Sequence, residues 1–467
     1  MAAKAISAWC VGALVAGSYW LGAHSSLAVE LPAAAHEYEQ MQPSLYPTPA
    51  PPQGVSGSQS TDAGSQGAPA VAALPNGPTV AGDEDYLGMS LPLSPPGQFW
   101  ARADYLMWFT SGMRLPPLVT TSPVGTPVAN AGVLGQPGTT VLYGDSTVGD
   151  DGRSGVRATV GMWLDCCHQW GVEFDFFTLG EQDSNFEAST SDYSILARPY
   201  FDVTGGTGTQ SRQLVSYPGV STGTIAVNVT DGFQSAGVDF THSICCCESC
   251  CCNTCDPCDC CALPMLYGCR TDLLVGFRYF RLNDSTDIYE NDTLTQLPST
   301  NIVVQDNFTA KNEFYGTEVG LRTTLYRGRW SLAIAPKIAL GANHETVTID
   351  GSTVVTSGSS TVRYNAGVFA GPTNSGTYER DSFAVIPQLN LELGYQLTCH
   401  WRAYVGYDVL YWGDIVRSSD QIDLNIDSKN VPSGSNSSSG GLPFPAYPGR
   451  TTAFWAQGVN IGTEFRF

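Results

Sequence analysis

Between His400 and Trp412 the side chains sort by parity. Trp401, Ala403, Val405, Tyr407, Val409 and Tyr411 form an apolar row, while His400, Arg402, Tyr404, Gly406, Asp408 and Leu410 form a mixed row that carries the charge. Successive side chains leave a β-strand on opposite faces, so a period of two predicts an extended strand whose faces meet different surroundings. In Ser382–Leu397, the residues Phe383, Val385, Pro387, Leu389, Leu391, Leu393, Tyr395 and Leu397 oppose Ser382, Gln388, Asn390, Glu392 and Gln396. Trp330–Gly341 repeats the pattern, as do Phe99–Phe109, Val156–Leu164, Trp170–Phe176, Leu273–Tyr279 and Tyr315–Leu325.

Two folds use such strands. A soluble sandwich turns the apolar face to its core, whereas an outer-membrane barrel turns it to lipid and fills the lumen with the polar face. Length favours the barrel. Most of these segments exceed the roughly 5–6 residues usual in soluble strands and match the roughly 9–11 of a tilted spanning strand. Aromatic residues gather at the segment ends, as an interfacial girdle requires. The connections alternate between tight turns (165–168, 326–329, 398–400) and long polar loops (110–152, 283–312, 342–380, 413–454), as this barrel class demands. Charged residues make up only 14% of the chain, against roughly 25% in average soluble domains.

The expectation is therefore an all-β, antiparallel transmembrane β-barrel of the outer-membrane type over residues 97–467. Ten strands are expected at 98–109, 153–164, 168–179, 232–241, 270–282, 313–326, 329–341, 381–397, 400–412 and 455–467. Segments 190–203 and 222–229 would raise the number to twelve, with Asp231-Gly232 as a hairpin turn after the second.

The ends of the chain agree with export. Lys4 precedes an uncharged apolar run, Ala5–Ala23, and Ser26-Leu27-Ala28 offers small residues at a cleavage point, so residues 1–28 are expected to be a signal peptide. Residues 29–96 are rich in Ala, Pro, Ser, Gly and Gln and predict a disordered periplasmic linker. At the other end, apolar residues alternate back from Phe467 through Phe465. This is the kind of terminal signal that the bacterial barrel-assembly machinery reads. The expected partners are that machinery and outer-membrane lipid. The location expected is the outer membrane of a Gram-negative-type envelope. The net charge of −21 argues against nucleic acid as a partner.

Several runs in order carry a family resemblance: LMWFTSGMRLPPLVTTSP (106–123), DLLVGFRYFRL (272–282), NEFYGTEVGL (312–321), FAVIPQLNLELGYQLT (383–398) and VGYDVLYWGDIVRSSDQID (405–423). From about residue 98 to the end, the chain resembles the putative beta barrel porin-7 family of planctomycete outer-membrane proteins. The resemblance implies an outer-membrane barrel and names no solute.

Parity places a set of charges in the lumen: Arg102, Asp104, Arg157, Asp165, Glu173, Asp175, Asp272, Arg278, Glu318, Arg322, Lys337, Glu392, Arg402, Asp408, Glu464 and Arg466. A ring of one sign would make an ion-selective pore. The two signs here are close to balanced, which predicts pairing across a narrow lumen, with Trp100, Trp108 and Trp163 helping to close it. Two functions follow: a narrow porin-like channel for small solutes, or a non-conducting barrel cross-linked through its cysteines. Catalysis is not expected. The one Gly-x-Ser-x-Gly, at 219–223, lacks the strand-to-helix setting that gives that motif meaning, and His344 reads as a rim residue.

Ten cysteines fall within 245–261, CCCESCCCNTCDPCDCC. Strand parity puts the connection 242–269 in the periplasm, with Cys166, Cys167, Cys269 and Cys399 at the same barrel end. Cys-x-x-Cys spacings such as Cys247–Cys250, Cys252–Cys255 and Cys255–Cys258, with His242 near, would suit Zn²⁺. An oxidising compartment favours disulfides to the same chain, to other copies or to envelope partners. Disulfides are preferred over zinc, and no other cofactor is expected.

Overall fold

The computed structural model describes residues 98–165, 168–246, 268–295, 299–398, 400–432 and 441–467. The expected signal peptide and linker lie outside these residues, as do Cys166, Cys167, Cys399 and most of the cysteine block.

Ten strands form a ring: β1 (Phe99–Thr110), β2 (Arg153–Trp163), β3 (Trp170–Leu179), β4 (Ser221–Cys246), β5 (Gly268–Leu294), β6 (Thr300–Arg327), β7 (Trp330–Ser357), β8 (Gly376–Gln396), β9 (Trp401–Ile415) and β10 (Thr452–Arg466). Each pairs antiparallel with the next. β1 then pairs with β10 from Trp100↔Arg466 to Thr110↔Ala456, which closes an antiparallel β-barrel. Closure leaves the ring without an edge, the condition for strands to cross a hydrocarbon layer. Two more segments join this sheet above the ring. Gln182–Ser189 continues beyond β3 along β4, and Ser360–Tyr364 folds back on β7.

The faces are inverted relative to a soluble protein. Along β1, Met107 is 53% exposed while its neighbours Leu106 and Trp108 are 0% and 2% exposed. Outside stand Tyr105, Phe109, Val160, Phe277, Leu332, Phe383, Val405 and Ile461, all exposed. Inside stand the buried charges. Polar backbone groups are satisfied within the ring, so the outer band can be wholly apolar without cost to the fold.

The twelve-strand alternative is corrected. Residues 222–229 are no separate strand but the first part of β4. Alternation runs through Asp231-Gly232 without changing phase, and the pairs Asp231↔Asp284 and Gly232↔Asn283 keep the register. Residues 196–202 of the other candidate form a strand outside the ring. The expected loops 283–312 and 342–380 are also largely strand. β5, β6 and β7 are 27, 28 and 28 residues long, far beyond the roughly 9–11 that span a membrane. Past the lipid band their outer faces turn polar (Asn283, Ser285, Asp287) while their inner faces bury apolar residues (Ile288, Ile302, Val304, Phe308) beside a few carboxylates (Glu290, Asp292, Asp306). An apolar inner face above the membrane must be covered.

The cover is a small sheet built from three connections. Thr209–Ser216, Leu196–Asp202, Val119–Thr121 and Thr140–Tyr143 pair in that order, and Asn425–Ile426 lies parallel to Leu196–Asp202. Leu115, Leu118, Val119, Leu196, Val215, Phe369, Val416 and Ile426 pack with the inner face of β4–β7 into one buried cluster. The tall half of the barrel wall thus carries a folded head. The other end has tight turns. At Arg327–Trp330, Gly328 takes φ +58°, a conformation glycine adopts without strain.

Ile461→Arg, on the lipid face near the middle of β10, is expected to lower stability by about 2–4 kcal/mol, measured by denaturant unfolding in lipid vesicles.

Candidate functional site in the barrel lumen

Three layers fill the lumen. The layer nearest the short turns is ionic, and it joins strands across the ring as well as neighbours along it. Arg278 of β5 donates from Nη1 to Asp175 of β3 at 2.7 Å and from Nε and Nη2 to Glu318 of β6 at 3.1 and 2.7 Å. Lys337 of β7 reaches Glu318 at 2.9 Å and Asp239, on β4 across the lumen, at 2.8 Å. Arg322 of β6 holds Glu173 of β3 through two bonds, at 3.0 and 2.5 Å. Arg157 of β2 reaches Asp408 of β9 at 2.9 Å. Arg102 of β1 pairs with Glu392 of β8, which also takes Arg402 of β9 at 2.6 Å. Glu464 of β10 lies 3.4 Å from Arg402 and is paired with Arg466. Asp272 takes Arg270 at 2.8 Å. Asp104 is buried opposite Arg157 in the register.

Charges this deep persist only if paired, because desolvation of each ion costs several kcal/mol. While both carboxylate oxygens of Asp104 are without a hydrogen-bond partner among the described residues, the near-balance of signs is what lets one compact network pair most of these charges. Asp239 and Arg270 belong to it and were not singled out from the sequence. Asp165 does not belong to it. Its carboxylate instead accepts from the backbone N–H groups of Gln169 and Trp170 at 3.0 and 2.6 Å, so it shapes the turn. A side chain in a two-strand turn has no fixed parity, and alternation misassigns it there.

The middle layer is aromatic. Trp108, Phe177, Phe233, Phe280, Phe314, Trp412 and Phe454 are all buried, with Leu106, Leu282, Ile386 and Leu410 among them. Their contacts cross the lumen. Phe233 of β4 meets Phe454 of β10 with centroids 4.9 Å apart, and Phe280 of β5 meets Trp412 of β9 at 6.0 Å. Phe314 meets Trp412 at 6.3 Å and Trp108 meets Phe177 at 5.2 Å. Strands on far sides of the ring are therefore joined ring to ring. Trp100 and Trp163 meet at 4.9 Å, tilted by 41°, nearer the short turns.

A mouth layer lies above the aromatics. After β9 the chain turns inward, and Arg417 is fully buried. It donates to Asp231 at 3.0 Å and to the Ser111 carbonyl at 2.9 Å. Arg153 also holds Asp231, at 2.8 Å. Asp284 accepts from the Ser418 backbone N–H at 2.6 Å, and Asn312 exchanges two bonds with the Val416 backbone. Burial, partly offset by Arg417, pushes the Asp284 carboxyl up to about 6.

Apart from Trp108, the aromatic layer escaped the sequence reading, although a signal was present. Trp108-Phe109, Phe176-Phe177, Tyr279-Phe280, Phe314-Tyr315, Tyr411-Trp412 and Phe454-Trp455 are adjacent aromatic pairs. In each, one ring faces lipid and the other the lumen, so the internal layer stands level with an external girdle.

Elsewhere, Phe467 exchanges two backbone bonds with Phe99, at 3.1 and 3.0 Å, and stacks on it, and Phe465 packs on Trp401. His242 stacks on Trp170 at 3.9 Å. Cys247, Cys250, Cys252, Cys255 and Cys258 lie outside the described residues. Among those described, no group of three His, Cys, Asp or Glu side chains is placed to hold a metal ion. His344 pairs with Asp381 at 2.8 Å on the outer surface, and Ser221 is buried at the start of β4.

Arg278→Ala leaves Asp175, Glu318 and Asp239 short of their central cation. A loss of about 3–5 kcal/mol is expected, again by denaturant unfolding, with Arg278→Lys intermediate because one ammonium cannot span both carboxylates as the guanidinium fork does.

A family model described as putative beta barrel porin-7 (BBP7) matches residues 100–467. No curated protein matches the sequence. Among solved structures, the chain is similar to the outer membrane protease OmpT from Escherichia coli, at 11% identity and a TM-score of 0.35, covering 79% of this chain and 97% of that one. It is also similar to a Pseudomonas aeruginosa FadL homologue, at 6% identity and a TM-score of 0.20, covering 79% and 90%. The P. putida toluene transporter TodX is matched at 7% identity and a TM-score of 0.15, covering 81% and 94%. Likenesses this slight carry no argument about activity.

Proposed function

Since this chain belongs to the putative beta barrel porin-7 family, we propose that it is an outer-membrane barrel whose lumen is closed to solutes and whose role is to anchor the folded head at the cell surface. One observation carries this reading: aromatic side chains from opposite walls touch across the lumen. A barrel of ten strands lies between the eight-stranded kind, which side chains fill, and the wide porins of 16–18 strands. Here the inward residues are large enough to fill it. Ion pairs below and the Arg417 segment above hold the aromatics in place.

The tight turns face the periplasm and the head faces outward, the usual arrangement for such barrels. The cysteine-rich connection between β4 and β5 then lies at the periplasmic rim. There its thiols are suited to disulfides with copies or envelope partners, with zinc as the second choice. Neither an enzymatic activity nor a transported solute is assigned.

Proteoliposome swelling tests this reading. Vesicles carrying the wild-type protein are expected to swell in isosmotic small sugars no faster than empty ones. The triple variant Phe233→Ala/Phe280→Ala/Trp412→Ala removes rings that meet across the lumen, and it should raise the rate above that of the wild type, short of an open barrel because the ionic and mouth layers remain. Swelling by the wild type would defeat the reading.

A further inference from the structure

The strand position beside β7 is interrupted on the tall wall. Ser360–Tyr364 pairs with β7 down to Thr353↔Tyr364, and β8 takes over at Ile349↔Gly376. Between those rungs, residues 350–352 have no partner strand on that side. The chain that would supply one runs inward instead, where residues 366–371 are buried. Asp306 holds it there, accepting from the backbone N–H groups of Phe369 and Ala370 at 3.0 and 2.6 Å. A Cβ on Gly351 would lie 2.0 Å from the Ala370 carbonyl oxygen, so the inward segment packs on bare backbone at this point.

The break leaves a cleft of about 490 Å³ on the outer surface of the wall, above the lipid band. Two rungs of the sheet form its base. One carries Asp287, Asn307 and Asp350 side by side on β5, β6 and β7, and the next carries Tyr289, Gln305 and Ser352. Arg363 and Asn365 border it where the neighbouring strand stops. The Tyr289 ring is 40% exposed, and it stacks on no other ring among the described residues. Gln305, Asp350, Arg363 and Asn365 are exposed as well, and among the described residues no hydrogen bond or ion pair occupies their side chains. Asp287 is fixed in place by Asn307 and by Ser285, the latter at 3.1 Å.

This lining selects among ligand classes. An anion would meet two carboxylates for one guanidinium. A divalent cation would find Asp287 already taken by two donors, with Arg363 on the same rim. An added peptide strand needs a longer free edge than three residues. A sugar fits. Its hydroxyls both donate and accept, and the carboxylates, amides and guanidinium here offer both roles. The Tyr289 ring offers an electron-rich apolar face against which the C–H side of a pyranose can lie. The volume falls within the roughly 300–1,000 Å³ of small-molecule sites. We infer that the cleft bordered by Tyr289, Gln305, Asp350 and Arg363 binds an uncharged sugar unit, carried by a surface lipid or by a free glycan. The inference does not depend on whether the lumen conducts.

The full-length protein is folded in lauryldimethylamine oxide, a detergent without sugar, and folding of every variant is checked by heat-modifiable gel mobility. With EGTA present, it is applied to an array of neutral and acidic oligosaccharides, bacterial lipopolysaccharides and their delipidated polysaccharides. Binding to neutral glycans is expected, and the best of them is then titrated by calorimetry. Tyr289→Ala should weaken its affinity about tenfold, and Gln305→Ala and Asp350→Asn several-fold each. Binding to delipidated polysaccharide supports the inference with the neighbouring membrane lipid as the source, and binding to oligosaccharides alone supports it with a free glycan. Wild-type protein that binds no neutral glycan overturns the inference. So does binding confined to sulfated or phosphorylated glycans, which would mark a simple anion site at Arg363. Undiminished affinity in folded Tyr289→Ala and Gln305→Ala would place the sugar elsewhere and overturn it too.

Discussion

The hydrogen-bonded seam between β1 and β10 is the constraint on which the molecule depends. In hydrocarbon no water satisfies a strand edge, so the sheet must close or fail to insert. Closure with ten strands fixes a narrow lumen. It also fixes which residues face that lumen, because side chains alternate without a break from Trp100↔Arg466 to Thr110↔Ala456. Once Arg278, Glu318 and Lys337 are turned inward, pairing is the only arrangement that avoids isolated buried charge. Chain closure and the ion network are therefore one requirement expressed at two levels.

The aromatic layer gives the lumen its second property. Pairs such as Phe280–Trp412 and Phe233–Phe454 bridge walls that share no backbone hydrogen bonds. Each such pair contributes about 0.5–1.5 kcal/mol beyond the area it buries. The adjacent aromatic pairs in sequence let a single height on each strand serve two surfaces: an interfacial girdle outside and a packed plug inside. Above that height the wall continues as a half-cylinder whose apolar inner face is covered by the head, and the fold above the membrane becomes that of an ordinary soluble core.

Much of this was legible in the sequence. Alternation located all ten ring strands, because a lipid face and a paired lumen impose unlike chemistry on odd and even positions. It failed where that contrast changes sign or vanishes. Above the membrane, Ile288, Ile302 and Val304 face inward while Asp287 and Asn307 face out. This is alternation of the soluble kind, and in a Gly-, Ser- and Thr-rich stretch it resembles loop. Asp231-Gly232 has the composition of a turn, but Asp231 is held by Arg153 and Arg417, contacts that no local pattern reveals. The lumen charges followed from parity. Their partners did not, because pairs such as Arg157–Asp408 and Arg322–Glu173 join strands remote in sequence.

Single-channel recording of the wild-type protein in planar bilayers tests the closed lumen most directly. The packing of Phe233, Phe280, Trp412 and Phe454 predicts a flat baseline across applied voltages, without discrete steps, after verified insertion of folded barrels. Reproducible nanosiemens-scale steps from the wild type would show an open path through these rings and contradict the account.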